Sequence, residues 1–392
     1  MKSESTASSP LLIGIVAGEA SGDLLGAHLI EALREHVPAM RFVGIGGPKM
    51  EATGAMHTLF PMEKLAVRGY VEVLRHYAGI VTIRRRLAAY FRREPPALFV
   101  GIDAPDFNLD LELRLKSRGV PTVHYVSPSI WAWRGGRINK IRRAVTRMLT
   151  LFPFETEIYR QAQIPATYVG HPLADMLADF PGREAVREQL RLPVDAKVIA
   201  LLPGSRASEL QSMADLFVAT AVDIAKTLPQ ARFLVPLVNR ETKEIFEAAL
   251  YRREIGELNI SILFGHAHDA MAAADVVLAA SGTVTLEAAL LKRPLVIAYR
   301  MPRLSWWLMN SMRRLPYVGL PNILSGEFVV PEFLQHEATP ENLSQAVINL
   351  LFDNVVRQRL EARFAGMLQQ LRQNTAQKAA QAILPLLEGG VA

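Results

Sequence analysis

Short apolar runs recur along the chain, each followed by a stretch whose apolar residues fall at helical spacing. The runs Leu12–Val16, Arg41–Ile45, Ala97–Ile102, Thr122–Val126, Met148–Leu151 and Ala166–Val169 predict strands. Leu24–His36 and Leu109–Ser117 carry the helical period between them. The strands are continuously apolar rather than alternating, which marks strands covered on both faces, so a mostly parallel sheet is expected. A second series of the same kind begins near Lys197. Its predicted strands are Val198–Leu202, Arg232–Pro236, Ile260–Phe264, Val276–Ala279 and Leu295–Tyr299, with helices at Glu209–Thr227, Glu241–Arg252, Ala267–Ala274 and Thr285–Lys292. Strands alternating with helices twice over predict two α/β layers of Rossmann type.

The polar, proline-containing stretch His171–Pro193 reads as the hinge between these halves, and Glu341–Leu387 keeps a helical period to the end. The expected division is therefore an N-terminal domain over 1–175, a second over 176–350, and a helical segment over 351–392 that packs back across the first. A chain of 392 residues exceeds the usual size of a single core, in agreement with two domains. Residues 1–10 are small and polar and read as a loose tail.

Composition narrows the chemistry. There is no cysteine, which removes disulfides, thiolate nucleophiles and cysteine metal sites together and suits a reducing cytoplasm. No run approaches the roughly 18 apolar residues that a membrane span needs, so any membrane contact is expected at the surface. A formal charge of +6 and a pI near 9.5 favour anionic partners without ranking nucleotide, lipid phosphate or nucleic acid. The run Leu65–Arg93 mixes Val67, Val71, Leu74, Tyr77, Ile80, Ile83 and Leu87 with Arg68, Arg75, Arg84, Arg85, Arg86, Arg92 and Arg93. That composition suits an anionic lipid surface; a helix packing its apolar side on the core with its arginines in water is the competing reading. Trp306 and Trp307 within Leu304–Met312 permit the same pair of readings.

Ligands of open parallel sheets bind beyond the carboxyl ends of the strands, which directs attention to the loops there. Val198–Leu202 ends in Pro203-Gly204-Ser205-Arg206, a glycine for close backbone approach and a guanidinium fork suited to a diphosphate. Val276–Ala279 runs into Ser281-Gly282-Thr283 ahead of a helix whose free N–H groups attract anions, with Ser281 or Thr283 able to cap it. Glu287, in or near the first turn, is placed to accept from ribose hydroxyls or merely to offset the helix dipole. Neither G-x-x-x-x-G-K-[ST] nor G-x-G-x-x-G occurs, so ATPase and NAD readings lose ground. In the first half, Leu98–Ile102 delivers Asp103 at a strand end, a carboxylate suited to take a proton from an attacking hydroxyl. Asp106 suits a helix cap better. Gly18–Asp23, with Ser21, is either an acceptor contact or a plain turn. Trp131 and Trp133, followed by Arg134 and Arg137, line an acceptor pocket or pack at an interface. His124 reads as a buried histidine ranked behind Asp103, and the spacing of His266 and His268 is poor for a metal.

Six segments together resemble the lipid-A-disaccharide synthase family from about Ile13 to Leu387. They are Val16–Asp23, Gly101–Asn108, His124–Trp133, Leu201–Arg206, Ala279–Thr283 and Leu320-Pro321-Asn322. The resemblance implies the GT-B fold, two Rossmann-like domains facing a central crevice, with acceptor bound by the N-terminal half and UDP by the C-terminal half. It implies an inverting transfer from UDP-2,3-diacylglucosamine to the 6-hydroxyl of 2,3-diacylglucosamine 1-phosphate, giving a β-1,6 disaccharide and UDP. It implies Asp103 as base, Arg206 as a diphosphate contact, and Glu287 and Asn322 as nucleotide contacts, to which the strand-end loops read above add Gly204, Ser205, Ser281, Gly282 and Thr283. Glu19, Ser21, Asn108 and Trp131 are expected near the acceptor. No cofactor and no metal are expected. A homodimer with exchanged C-terminal segments and peripheral attachment to the inner face of the cytoplasmic membrane are also implied. Two rivals remain at this level: a UDP-sugar 2-epimerase, which shares the fold and the nucleotide loops, and a nucleic-acid-binding protein, supported only by charge.

Overall fold

The computed structural model describes residues 10–65, 70–132, 135–253, 258–313 and 315–388. Two compact units form, one from residues up to Pro172 together with those from Gln373 onward, the other from Leu173–Arg372. From Leu173 onward the hinge stretch is thus built into the second unit. Its residues form the short helices Pro172–Leu177 and Arg183–Gln189, and Arg183 and Arg187 reach Asp275 at 3.1 and 2.9 Å. The segment 351–392 is divided. Asn354–Leu371 lies in the second unit, and Thr375–Glu388 sends Ala379, Ala380 and Ile383 into the core of the first.

The first unit holds β1 (Leu11–Ala17), β2 (Met40–Ile45), β3 (Met56–Thr58), β4 (Leu98–Ile102), β5 (Thr122–Tyr125), β6 (Arg147–Thr150) and β7 (Ala166–Tyr168), in the order β3-β2-β1-β4-β5-β6-β7. The second holds β8 (Val198–Leu202), β9 (Arg232–Leu237), β10 (Ile260–Phe264), β11 (Val276–Ala280), β12 (Leu295–Tyr299) and β13 (Glu332–Leu334), in the order β10-β9-β8-β11-β12-β13. Every pairing among the described residues is parallel. β3 and β13, of three residues each, are not among the strands that the sequence predicts.

In each sheet the winding direction reverses once, between β1 and β4 and between β8 and β11. Helices on either side of that point diverge to opposite faces, which opens a crevice at the carboxyl ends of the two strands. Register sets the depth. Ala17 pairs with Ile102 and Ile102 with Tyr125, so Gly18, Asp103 and Val126 are the first residues beyond three adjacent strands. Leu202 pairs with Ala279, which brings the loops after β8 and β11 side by side.

The basic run behaves partly as expected. Tyr70–Arg93 is a helix whose Ile83, Leu87 and Phe91 are buried in the core, with Arg85 and Arg86 in water. Arg84 departs from the predicted surface face. It is buried, pairing with Asp110 at 2.6 Å and donating to the Asp106 carbonyl at 3.0 Å. Val67 and Arg68 lie outside the described residues, as do the side chains of Val71, Leu74, Arg75 and Tyr77.

Candidate active site

In the first unit the residues beyond β4 take a conformation that ordinary side chains avoid. Asp103 and Ala104 have φ of 50° and 42°, two consecutive non-glycine residues in the left-handed region. The Asp103 N–H donates to the Tyr125 carbonyl at 2.8 Å, and the Ala104 carbonyl accepts from Phe107 and Asn108 at the start of the helix Pro105–Lys116. Asp103 is half-buried and opens on a cavity of about 350 Å³ lined also by Asp106, Val126–Ile130 and Arg137. Gly18 lies against the same turn, since a Cβ there would stand 2.6 Å from that of Ala104.

Several predicted neighbours take other parts. Asp106 is not the N-cap, a position that falls on Ala104; it stands in the first turn and pairs with Arg137. Nothing local in the sequence ties Arg137 to Asp103. Asn108 is fully buried, its Nδ2 donating to the carbonyls of Asp103 at 2.8 Å and Ile102 at 3.3 Å, so it braces the turn rather than facing an acceptor. Glu19 is the half-buried residue preceding the helix Ala20–His36, and Ser21 is exposed on its first turn. Asp23, one turn along, is buried and accepts from the N–H groups of Gly47, Lys49 and Met50 at 2.8 to 3.0 Å, fixing the neighbouring loop.

Trp131 is half-buried and packs edge-on to Phe154 of its own unit at 5.3 Å; Trp133 and Arg134 lie outside the described residues. The Trp131 Nε1 donates to Glu155 Oε1 at 3.0 Å, while Glu155 Oε2 accepts from the Phe152 N–H at 3.0 Å. Burial drives the Glu155 pKa up to about 7, against the opposing effect of these hydrogen bonds.

In the second unit Gly204, with φ of 139°, begins the turn after β8. A Cβ there would meet the Glu209 Cβ at 2.6 Å, so the turn requires glycine. Ser205 and Arg206 follow, exposed, ahead of the helix Ala207–Thr227. Beside them Gly282 and Thr283 are exposed at the N-terminus of the helix Thr283–Leu290. Neither Ser281 nor Thr283 caps that helix. Ser281 Oγ donates instead to the Val318 carbonyl at 3.3 Å, and Thr285 Oγ1 to the Gly282 carbonyl at 2.8 Å. An uncapped helix start beside an exposed arginine is a ready anion site.

Glu287 stands beyond the first turn, where the dipole effect has faded, so offsetting the dipole does not explain it. Its Oε2 lies 3.6 Å from His268 Nε2, a neighbour that sequence spacing had not suggested. His266 Nδ1 is taken by Asp269 at 2.7 Å. Asn322 differs most from expectation. It is fully buried, its Nδ2 donating to Val330 O and Glu332 Oε1 and its Oδ1 accepting from Val329 N and Val330 N. All four of its hydrogen-bonding positions are used, so its role here is to hold the loop that approaches Ser281. Glu332 continues that work, accepting from Val318 N at 2.9 Å and Gly319 N at 2.8 Å.

A family model described as lipid-A-disaccharide synthetase matches residues 13–384. Relatives named lipid-A-disaccharide synthase include that of Methylobacillus flagellatus, 59% identical over 96% of this chain and 99% of its own, and that of Dechloromonas aromatica, 55% identical over 97% and 99%. Among solved structures, Acinetobacter baumannii MurG superposes with a TM-score of 0.58 at 14% identity, covering 96% of this chain and 100% of its own. A UDP-GlcNAc 2-epimerase from Neisseria meningitidis bound to UDP-GlcNAc gives 0.60 at 12%, covering 97% and 100%. At such identities the likeness concerns the fold, which is of GT-B type.

Proposed function

This chain belongs to the lipid-A-disaccharide synthetase family, and we infer that it is a glycosyltransferase joining two acylated glucosamine units into the lipid A disaccharide. The donor is UDP-2,3-diacylglucosamine and the acceptor 2,3-diacylglucosamine 1-phosphate. The observation that carries the donor half is the adjacency of Arg206 and the uncapped helix start at Thr283, at the reversal point of the second sheet. A guanidinium and helix N–H groups stabilise a departing diphosphate as its charge grows. We propose that these groups do so without a metal. Glu287, beside them, is assigned to the ribose hydroxyls.

The acceptor half is assigned to the loops beyond β1, β4 and β5. Asp103 takes the proton of the acceptor 6-hydroxyl, whose oxygen forms the new bond to the anomeric carbon. The bond from that carbon to the UDP oxygen breaks, and UDP leaves with the electron pair. A single displacement inverts the centre. Arg137, in the same cavity as Asp103, is assigned to the acceptor phosphate.

No described helix is long and apolar enough to cross a membrane. Peripheral attachment to an anionic bilayer is the proposed alternative, supported by the helix Arg303–Met312. Its Trp307 is 69% and its Met309 45% exposed, in a stretch with no acidic residue from Arg300 to Gly326. A homodimer is proposed on family resemblance.

The test is an assay of purified protein with both lipid substrates in detergent and EDTA, comparing wild type with Asp103→Ala. Disaccharide and UDP are expected from wild type, with a fall of at least about 100-fold in the folded variant. Disaccharide formation that needs added metal would overturn the metal-free step. No disaccharide even with metal, together with epimerisation of UDP-N-acetylglucosamine, would overturn the assignment.

A further inference from the structure

Behind the Asp103 turn lies a polar group that the proposed reaction does not use. Asn108, Glu112 and His124 are all fully buried. Asn108 and Glu112 stand one turn apart on the helix Pro105–Lys116 and crowd the same point over β4. A Cβ on Gly101 would lie 2.2 Å from Glu112 Oε1 and 2.9 Å from the Asn108 Cβ, so only a glycine in that strand admits them. Gly101 pairs in register with His124 on β5, whose Nδ1 lies 2.7 Å from the same Glu112 oxygen.

The arrangement is costly for a core. Glu112 Oε2, His124 Nε2 and Asn108 Oδ1 make no hydrogen bond among the described residues. Each such atom costs about 1 to 3 kcal/mol, and apolar side chains of similar volume commonly match or exceed the stability of a buried hydrogen-bonded polar pair. Packing therefore does not account for the trio. The adjoining turn does. Two successive left-handed residues are held at about 1 to 2 kcal/mol each, and such strain persists only where the surroundings over-determine it. Asn108 supplies part of that restraint through the Asp103 carbonyl, and β5 supplies part through the Tyr125 carbonyl, next in sequence to His124.

We propose that Asn108, Glu112 and His124 form a buried positioning bracket that fixes the left-handed turn and so aims the Asp103 carboxylate. The Glu112–His124 contact locks β5 to the helix, and Asn108 carries that restraint to the turn. The inference rests on reading Asp103 as the base, and the two are tested separately.

The experiment is the paired replacement Glu112→Met with His124→Leu, measured for Tm and for kcat and KM of both substrates, in wild-type and Asp103→Ala backgrounds. Tm is expected to hold or rise while kcat falls at least about 10-fold with each KM within about threefold. In the Asp103→Ala background the pair should cost nothing further, because there is no carboxylate left to aim. A kcat that holds in the folded variant would overturn the bracket, and so would an equal fall in both backgrounds. If the paired variant does not fold, Glu112→Gln is read the same way, with an expected fall of at least about threefold. Full activity in Asp103→Ala alone would instead sink the base assignment.

Discussion

Glu209 sits on the donors that Arg206 and its neighbour present. Its Oε1 lies 3.2 Å from Arg206 Nη1, and its Oε2 accepts from the N–H of Ser205 at 2.9 Å and of Arg206 at 3.3 Å. A carboxylate thus occupies donors assigned to the donor diphosphate. Both side chains reach solvent, which limits the pair to about 0 to 1 kcal/mol. Glu209→Gln is therefore expected to tighten UDP binding by about two- to fivefold, read by titration calorimetry. Unchanged or weaker binding would mean that these donors do not meet the diphosphate.

Glu155 makes a pH dependence legible. Its pKa rises from 4.5 to about 7 on folding, so the folded state holds the proton more tightly. Stability from this group is full below about pH 4.5 and is lost as pH rises through about 7. The span corresponds to about 3 kcal/mol at about 1.4 kcal/mol per unit. Glu155→Gln should flatten the fall in unfolding free energy between pH 5 and 8, measured by urea titration. An unchanged slope would place its source elsewhere.

Asn322 is expected to act on stability more than on the ligand. Asn322→Ala strands the N–H groups of Val329 and Val330, each costing about 1 to 3 kcal/mol where buried. Tm should fall by several degrees, with UDP affinity of the folded protein changed less than about threefold. Loss of UDP affinity at constant Tm would restore it as a direct contact.

Arg137 shares its cavity with Asp103 and pairs with the exposed Asp106. Arg137→Met should raise the acceptor KM at least about 10-fold with kcat within about threefold. UDP binding is expected to be unaffected. A fall in kcat at constant KM would tie the residue to the chemical step instead.

Much of this was written in local sequence. Continuous apolar strands, helices between them and glycine-bearing strand ends follow from period and from backbone sterics, and these placed Asp103, Arg206 and Ser281–Thr283 in loops at the right edge of each sheet. What the chain does not encode locally is adjacency and commitment. Strand order, set by long-range pairing, decides that the loops after β8 and β11 are neighbours and that Arg137 meets Asp106 across a cavity. Burial decides that Asn108 and Asn322 spend their amides on backbone groups, that Arg84 leaves the basic face for Asp110, and that Glu112 and His124 lie behind the turn they flank. Sequence reveals which groups a residue can donate or accept; only the tertiary fold determines which partners remain once water has been removed.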